Sequence, residues 1–160
     1  MRVLAIDPGY DRLGLAVLEK ESGQKETLLY SECFTTNKQD EFGTRLVSIG
    51  EKVASLISEY GPEALSIENL FFENNQKTAM RVAETRGAIL YLALSEGLSV
   101  MELTPLQVKS AVTGDGRSDK THVAKMVSLL LPLPKRKIID DEYDAIALGL
   151  AFFAYYRSKK

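Results

Sequence analysis

The sequence predicts an α/β fold: a five-stranded mixed sheet, three antiparallel strands then two parallel, flanked by helices. Three observations lead there. Val3, Leu4, Ala5 and Ile6 form an unbroken apolar run, the mark of a strand buried on both faces in the middle of a sheet. Two further strand-like segments follow it before any helical periodicity begins, so the first three strands pair as hairpins. Helical and strand-like segments then alternate, which calls for helical crossovers between parallel strands. The 160 residues fit one domain, 1–160, large enough for a hydrophobic core without disulfides.

The first strand covers Arg2 to Asp7 and ends in the turn Asp7-Pro8-Gly9-Tyr10. Pro8 fixes φ and Gly9 permits a positive φ, which leaves Asp7 at the rim of the sheet. The second strand spans Arg12 to Val17. Gly14 within it marks a bulge or the close approach of another backbone. The third strand covers Thr27 to Thr35. Phe42, Leu46, Ile49, Val53, Leu56, Ile57 and Tyr60 recur at helical spacing, which places an amphipathic helix over 41–60, stopped by Gly61-Pro62. Ala64 to Ile67 is a short buried strand with Glu68 at its end.

A long helix runs from about Thr78 to Ser95. Its second half, 87–94, is apolar almost all round, as for a helix with core on one side and a partner subunit on the other. Leu98 to Leu103 is the fifth strand. Thr104-Pro105 opens a short helix carrying Gln107, Val108 and Lys109, with proline where an early helical position tolerates it. A glycine-containing loop, 113–118, leads to Asp119 or Ser118 as the cap of a helix running to about Leu131. The last helix follows Asp140-Asp141-Glu142-Tyr143-Asp144. It is rich in small residues (Ala145, Ala147, Gly149, Ala151, Ala154) that let it lie close against a sheet. This order is the ribonuclease-H-like layout, with the first strand central.

Composition narrows the function classes. The hydrophobic fraction of 45% and charged fraction of 26% are those of a globular protein. No apolar run reaches the length of a membrane span, and the one cysteine, Cys33, forms neither an internal disulfide nor a thiolate zinc site alone. A cytoplasmic protein is expected. With His122 as the sole histidine, Ser-His-Asp and Cys-His catalysis have almost nothing to work with, and histidine-rich zinc sites are excluded. The net charge is −2, yet between Leu103 and Lys137 seven cations face only Asp115 and Asp119. A basic region on an acidic body is the footprint of a polyanion-binding face.

Four acids carry the chemistry. Asp7 and Glu68 end two apolar strands expected to be neighbours, and Asp141 and Asp144 are three apart at the start of a helix, projecting from one face. Alone, Asp7 is as good a turn cap as a metal ligand, and acids at a helix start suit the macrodipole. Gathered together, such carboxylates raise one another's pKa. A divalent cation relieves that cost, and all-oxygen ligation suits Mg²⁺ or Mn²⁺. Phosphoryl transfer assisted by metal ions needs no histidine. Phe71 and Phe72 precede a polar loop and offer a ring on which a base can stack. Lys77, Arg81 and Arg86 lie on the following helix, and Lys109, Arg117 and Lys120 flank the glycine loop; all six are expected to contact DNA, as are Phe71 and Phe72.

These residues resemble the RuvC family, the Holliday-junction endodeoxyribonucleases. Ile6-Asp7-Pro8-Gly9, Ile67-Glu68-Asn69-Leu70-Phe71, Thr85-Arg86-Gly87-Ala88, Gln107-Val108-Lys109, the 114–120 loop and Asp141-Glu142-Tyr143-Asp144-Ala145-Ile146-Ala147 stand in family order across nearly the whole chain. The resemblance implies a homodimer whose two active sites nick opposing strands of a four-way DNA junction, with two Mg²⁺ per subunit for which Mn²⁺ can substitute. It implies Asp7, Glu68, Asp141 and Asp144 as the catalytic, metal-binding acids. Phe71 takes the place of the family's base-stacking aromatic, and Lys109 and Lys120 match basic residues near the scissile phosphate. It further implies a branch-migration complex, a motor ATPase with its junction-binding protein, as partner. Rival readings are an RNA-processing nuclease on the same fold, a sugar-kinase or actin-like ATPase, which needs two such domains, and an idle junction-binding protein, which needs no acid set.

Overall fold

A computed structural model describes residues 1–69 and 76–157. Among the described residues five strands form one sheet: β1 (Arg2–Asp7), β2 (Arg12–Glu19), β3 (Thr27–Thr35), β4 (Ala64–Glu68) and β5 (Ser99–Leu103), in the order β3-β2-β1-β4-β5. The first three pair antiparallel, while β4 and β5 run parallel to β1. The apolar run of β1 therefore sits in the centre, and its alternate residues feed two cores. Val3 and Ala5 face a layer made by α3 (Pro105–Thr113), α4 (Lys120–Leu130) and α5 (Asp140–Arg157). Leu4 and Ile6 face α1 (Phe42–Tyr60) and α2 (Gln76–Ser95). Alternation of Cβ direction along a strand is what divides the two sets.

The helix ends follow local chemistry. Gly61 closes α1 in the left-handed region, at φ 56°, its N–H donating to the Ile57 carbonyl. Thr104 and Gln107 form a reciprocal capping box on α3, and the Asp119 side chain accepts from the His122 N–H at 2.8 Å to start α4. The small residues of α5 do bring it onto the sheet: a Cβ on Gly149 would strike the Leu18 side chain on β2.

Two expectations change, the conformation of Gly9 and the end of β2, while Gly14 and α2 each follow a reading the sequence left open. Gly9 is not among the positive-φ glycines, which are 23, 61, 97 and 114 among the described residues; a Cβ at position 9 would instead collide with the Arg12 carbonyl, so closeness, not handedness, requires glycine. Gly14 is not a bulge. The register of β2 against β3 shifts at Val17/Leu18, and β2 continues to Glu19. Gly14 is the close-approach alternative: the Asp141 carbonyl at the start of α5 occupies the space a Cβ would take. Finally, Tyr91 and Leu94 of α2 stand exposed, Tyr91 at 76%, while Ile89 and Ala93 are buried. One side of that helix is core and the other is open.

Candidate active site

The site lies where the central strands end. β1 terminates in Asp7 and its parallel neighbour β4 in Glu68, with Ile6 beside Ile67 in register, so the two carboxylates leave the sheet at the same rim. Asp7, Glu68 and Asp144 line one cavity of about 280 Å³, with Lys109 from α3 and Lys120 from α4 in its wall. The Lys120 ammonium donates to Asp144 Oδ2 at 2.9 Å. Asp141 stands apart from this cavity. Its Oδ2 lies 3.2 Å from Arg12 Nε and 3.9 Å from the Cys33 thiol, and it borders a second cleft with Gly9, Tyr10 and Arg12. One turn of helix thus sends its two acids to different cations, although the spacing predicts a common face.

Electrostatics single out Asp7. Burial, then Glu68, Asp144 and Asp141 in that order, push its carboxyl up to about 8, against a smaller opposing pull from Lys120. Glu68 is also raised, first by burial and then by Asp144. Lys120 is held up by its hydrogen bond to Asp144. Burial, followed by Asp141, lifts the Cys33 thiol to about 11, which keeps it protonated and unreactive.

Among the described residues no three Asp, Glu, His or Cys side chains converge closely enough to hold one ion. The chemistry of the group nevertheless fits a hard divalent cation. The donors are oxygen only, and Asp7 carries a penalty for ionising that a cation would remove. Lys120 and Arg12 neutralise two of the acids in its stead.

The remaining predicted residues divide. Arg86 is drawn into the protein: Nε donates to the Glu68 carbonyl at 3.0 Å and Nη2 pairs with Glu102. It fixes the end of β4 rather than presenting its charge outward. Arg81 pairs with Glu84 at 3.0 Å and lies over the Phe42 ring. Arg117 is exposed, its N–H bound to Asp115 in the glycine loop. Phe71 and Phe72 lie outside the described residues, as does the side chain of Lys77. His122 is an exposed residue whose Nδ1 meets the Ser118 hydroxyl at 3.2 Å.

Two supports escaped sequence reading. Glu142, between Asp141 and Asp144, is 1% exposed and receives both Arg136 terminal nitrogens, at 2.7 and 2.9 Å, while Arg136 also binds the Ser31 carbonyl on β3. Arg45 is buried inside an otherwise amphipathic helix; it reaches Thr36 at 2.8 Å, the Tyr10 carbonyl at 3.0 Å and the Asp11 carboxylate. That hydrogen bond holds the Asp11 carboxyl below its usual range and pins the turn after Asp7. Neither left a local signal: the residues next to Arg45 and Glu142 are exposed or half-buried, and only the distant partner makes a buried charge tolerable there.

Fold and site together define a ribonuclease-H-like protein with an acidic, lysine-walled pocket at the rim of its central strands. A family model, crossover junction endodeoxyribonuclease RuvC, matches residues 3–152. The protein of that name from Thermosipho melanesiensis is 47% identical over 93% of this chain and 94% of its own length, and that from Petrotoga mobilis 40% identical over 100% and 98%. The solved RuvC of Thermus thermophilus in complex with a Holliday junction substrate superposes with a TM-score of 0.92 at 33% identity, covering 99% of this chain and 96% of that one. The yeast mitochondrial Holliday junction resolvase Ydc2, at 12% identity and a TM-score of 0.71 over 98% and 79%, shares the fold. The chain belongs to the crossover junction endodeoxyribonuclease RuvC family.

Proposed function

We propose that this protein is a crossover junction endodeoxyribonuclease that resolves four-way DNA junctions by paired, symmetric nicks. The observation that carries the reading is the pocket in which Asp7, Glu68 and Asp144 face Lys109 and Lys120. A site for phosphodiester hydrolysis needs oxygen ligands for a cation and positive charge for the phosphate, and both are present within one cavity.

Asp7, Glu68, Asp141 and Asp144 would hold Mg²⁺. When bound, it supplies an activated water and neutralises the departing oxygen. Lys109 and Lys120 attract and orient the scissile phosphate, and Lys120 exchanges its partner, Asp144, for phosphate oxygen as DNA enters. Arg86, through the Glu68 carbonyl, and Arg136, through Glu142, position the acids without touching substrate. Two such sites are brought to opposing strands by a homodimer. Its contact face is the open side of α2, where Met80, Tyr91 and Leu94 are exposed; scattered apolar residues are ordinary, but three on one helix suit a partner.

The test is incubation with a labelled four-way junction and Mg²⁺, beside linear duplex and structured RNA. Paired nicks at symmetric positions in the junction alone are expected. Preferential cleavage of the RNA, or single unpaired nicks, would overturn the reading.

A further inference from the structure

The geometry points to Arg12 as a latch on Asp141: it holds that carboxylate out of the acidic pocket until a DNA phosphate in the adjoining cleft draws the guanidinium away. The inference rests on the nuclease reading above and adds a positioning residue to it.

The contacts of Asp141 set the argument. Arg12 Nε lies 3.2 Å from Oδ2, and the thiol of Cys33 at 3.9 Å is too weak a donor to compete. Arg12 is therefore the partner that decides where this carboxylate rests. The backbones on both sides are locked. The Asp141 carbonyl fills the space above Gly14, the Arg12 carbonyl is packed against Gly9, and Arg45 ties the intervening turn through Tyr10 and Asp11. Asp141 reaches the other acids only by a side-chain rotation, and that requires Arg12 to let go. Arg12 is free to do so: its side chain is 57% exposed, at the first position of β2.

The cleft beside it gives the guanidinium somewhere to go. It has a volume of about 540 Å³, and its charged lining is Asp11, Arg12, Lys38 and Asp141, with Asp11 already engaged by Arg45. Lys38 stands 3.6 Å from Asp11 and is largely exposed, so a phosphate entering there meets two solvent-exposed cations. A guanidinium binds carboxylate and phosphate with the same fork, which makes the exchange of Asp141 for phosphate close to balanced. Once released, Asp141 joins Asp7, Glu68 and Asp144 in holding the cation. DNA and metal then favour each other's binding, and such coupling is reciprocal.

The experiment reads metal affinity rather than cleavage. Mn²⁺ is titrated into the DNA-free wild type, Arg12→Gln, Asp141→Asn and the double variant, following free Mn²⁺ by electron paramagnetic resonance. Arg12→Gln is expected to bind Mn²⁺ about fivefold more tightly, and this gain should vanish in the Asp141→Asn background. An equal gain in both backgrounds would mean that only a nearby positive charge had been removed, and would overturn the latch. So would no gain at all. In parallel, binding of a four-way junction is measured in EDTA across a salt series. Arg12→Gln should lower the slope of log affinity against log salt by about one; an unchanged slope overturns the handover to phosphate. A wild type that takes up Mn²⁺ while the variant gains nothing refutes the latch and leaves the nuclease reading standing, whereas no Mn²⁺ uptake by either the wild type or Arg12→Gln, with or without junction DNA, refutes both.

Discussion

Two acids of the same neighbourhood live under opposite rules. Glu142 is almost wholly buried, yet both its oxygens are engaged by Arg136, which is fastened in turn to β3. Asp7, at the end of the central strand, is pushed up to about 8 by its burial and then by the acids around it. The first arrangement is a finished structural pair. The second is a carboxyl that ionises only at a cost, the kind of perturbed group that clusters at functional sites. The contrast teaches that burial alone does not mark a functional carboxylate; the sign of its neighbours does.

The largest effect expected from breaking this contrast is at Asp7. Asp7→Asn should reduce Mg²⁺-dependent junction cleavage by at least about a thousandfold while leaving junction binding near that of the wild type, measured by electrophoretic shift and by nicking of the same labelled junction. The same variant should stabilise the ion-free protein. The Asp7 carboxyl titrates near 8 in the fold against an ordinary value of 3.8, so between those limits the unfolded chain gives up its proton first. The wild type in EDTA should therefore lose stability as pH rises from roughly 4 to 8, and its melting temperature followed against pH should show that fall. Asp7→Asn should lack it.

Arg136→Gln strikes the other arm of the comparison. It leaves Glu142 buried without its partner, at a cost of about 3 kcal/mol, or roughly 10 °C in Tm, readable by calorimetry. The Lys120→Ala variant should lower the cleavage rate by about a hundredfold without a comparable change in Tm, since this lysine is mostly exposed. His122→Ala should do least. Its side chain meets only the Ser118 hydroxyl among its described partners, so stability should move by less than about 0.5 kcal/mol and the rate profile between pH 6 and 8 should keep its shape.

How far the sequence was legible follows from what kind of signal each feature leaves. The strands and helices were readable because apolar periodicity and caps are local: the β1 run, the heptad-like spacing of α1, and Pro105 and Gly61 at helix ends all stand where the structure has them. Asp7 and Glu68 were readable as a pair because a carboxylate closing a buried strand is out of place. The divergence of Asp141 and Asp144 was not. It depends on Arg12 and Lys120, which are distant in sequence and belong to different elements. The Arg136–Glu142 and Arg45–Asp11 pairs were hidden for the same reason, since an arginine in a polar linker or on a helix looks solvated until its partner is known. The side-chain engagements of Arg81 and Arg86, expected to face DNA, belong to this class as well.

The contact between Gly14 and the Asp141 carbonyl has an evolutionary consequence. Position 14 contributes no atom to hydrolysis, yet any side chain there would push away the helix that carries two of the acids. In a library that randomises β2 and selects for surviving resolvase activity, Leu13 and Leu15 should drift among similar apolar residues, while position 14 should return glycine almost without exception. Selection would record the chemistry of the active site at a residue that has no chemistry of its own.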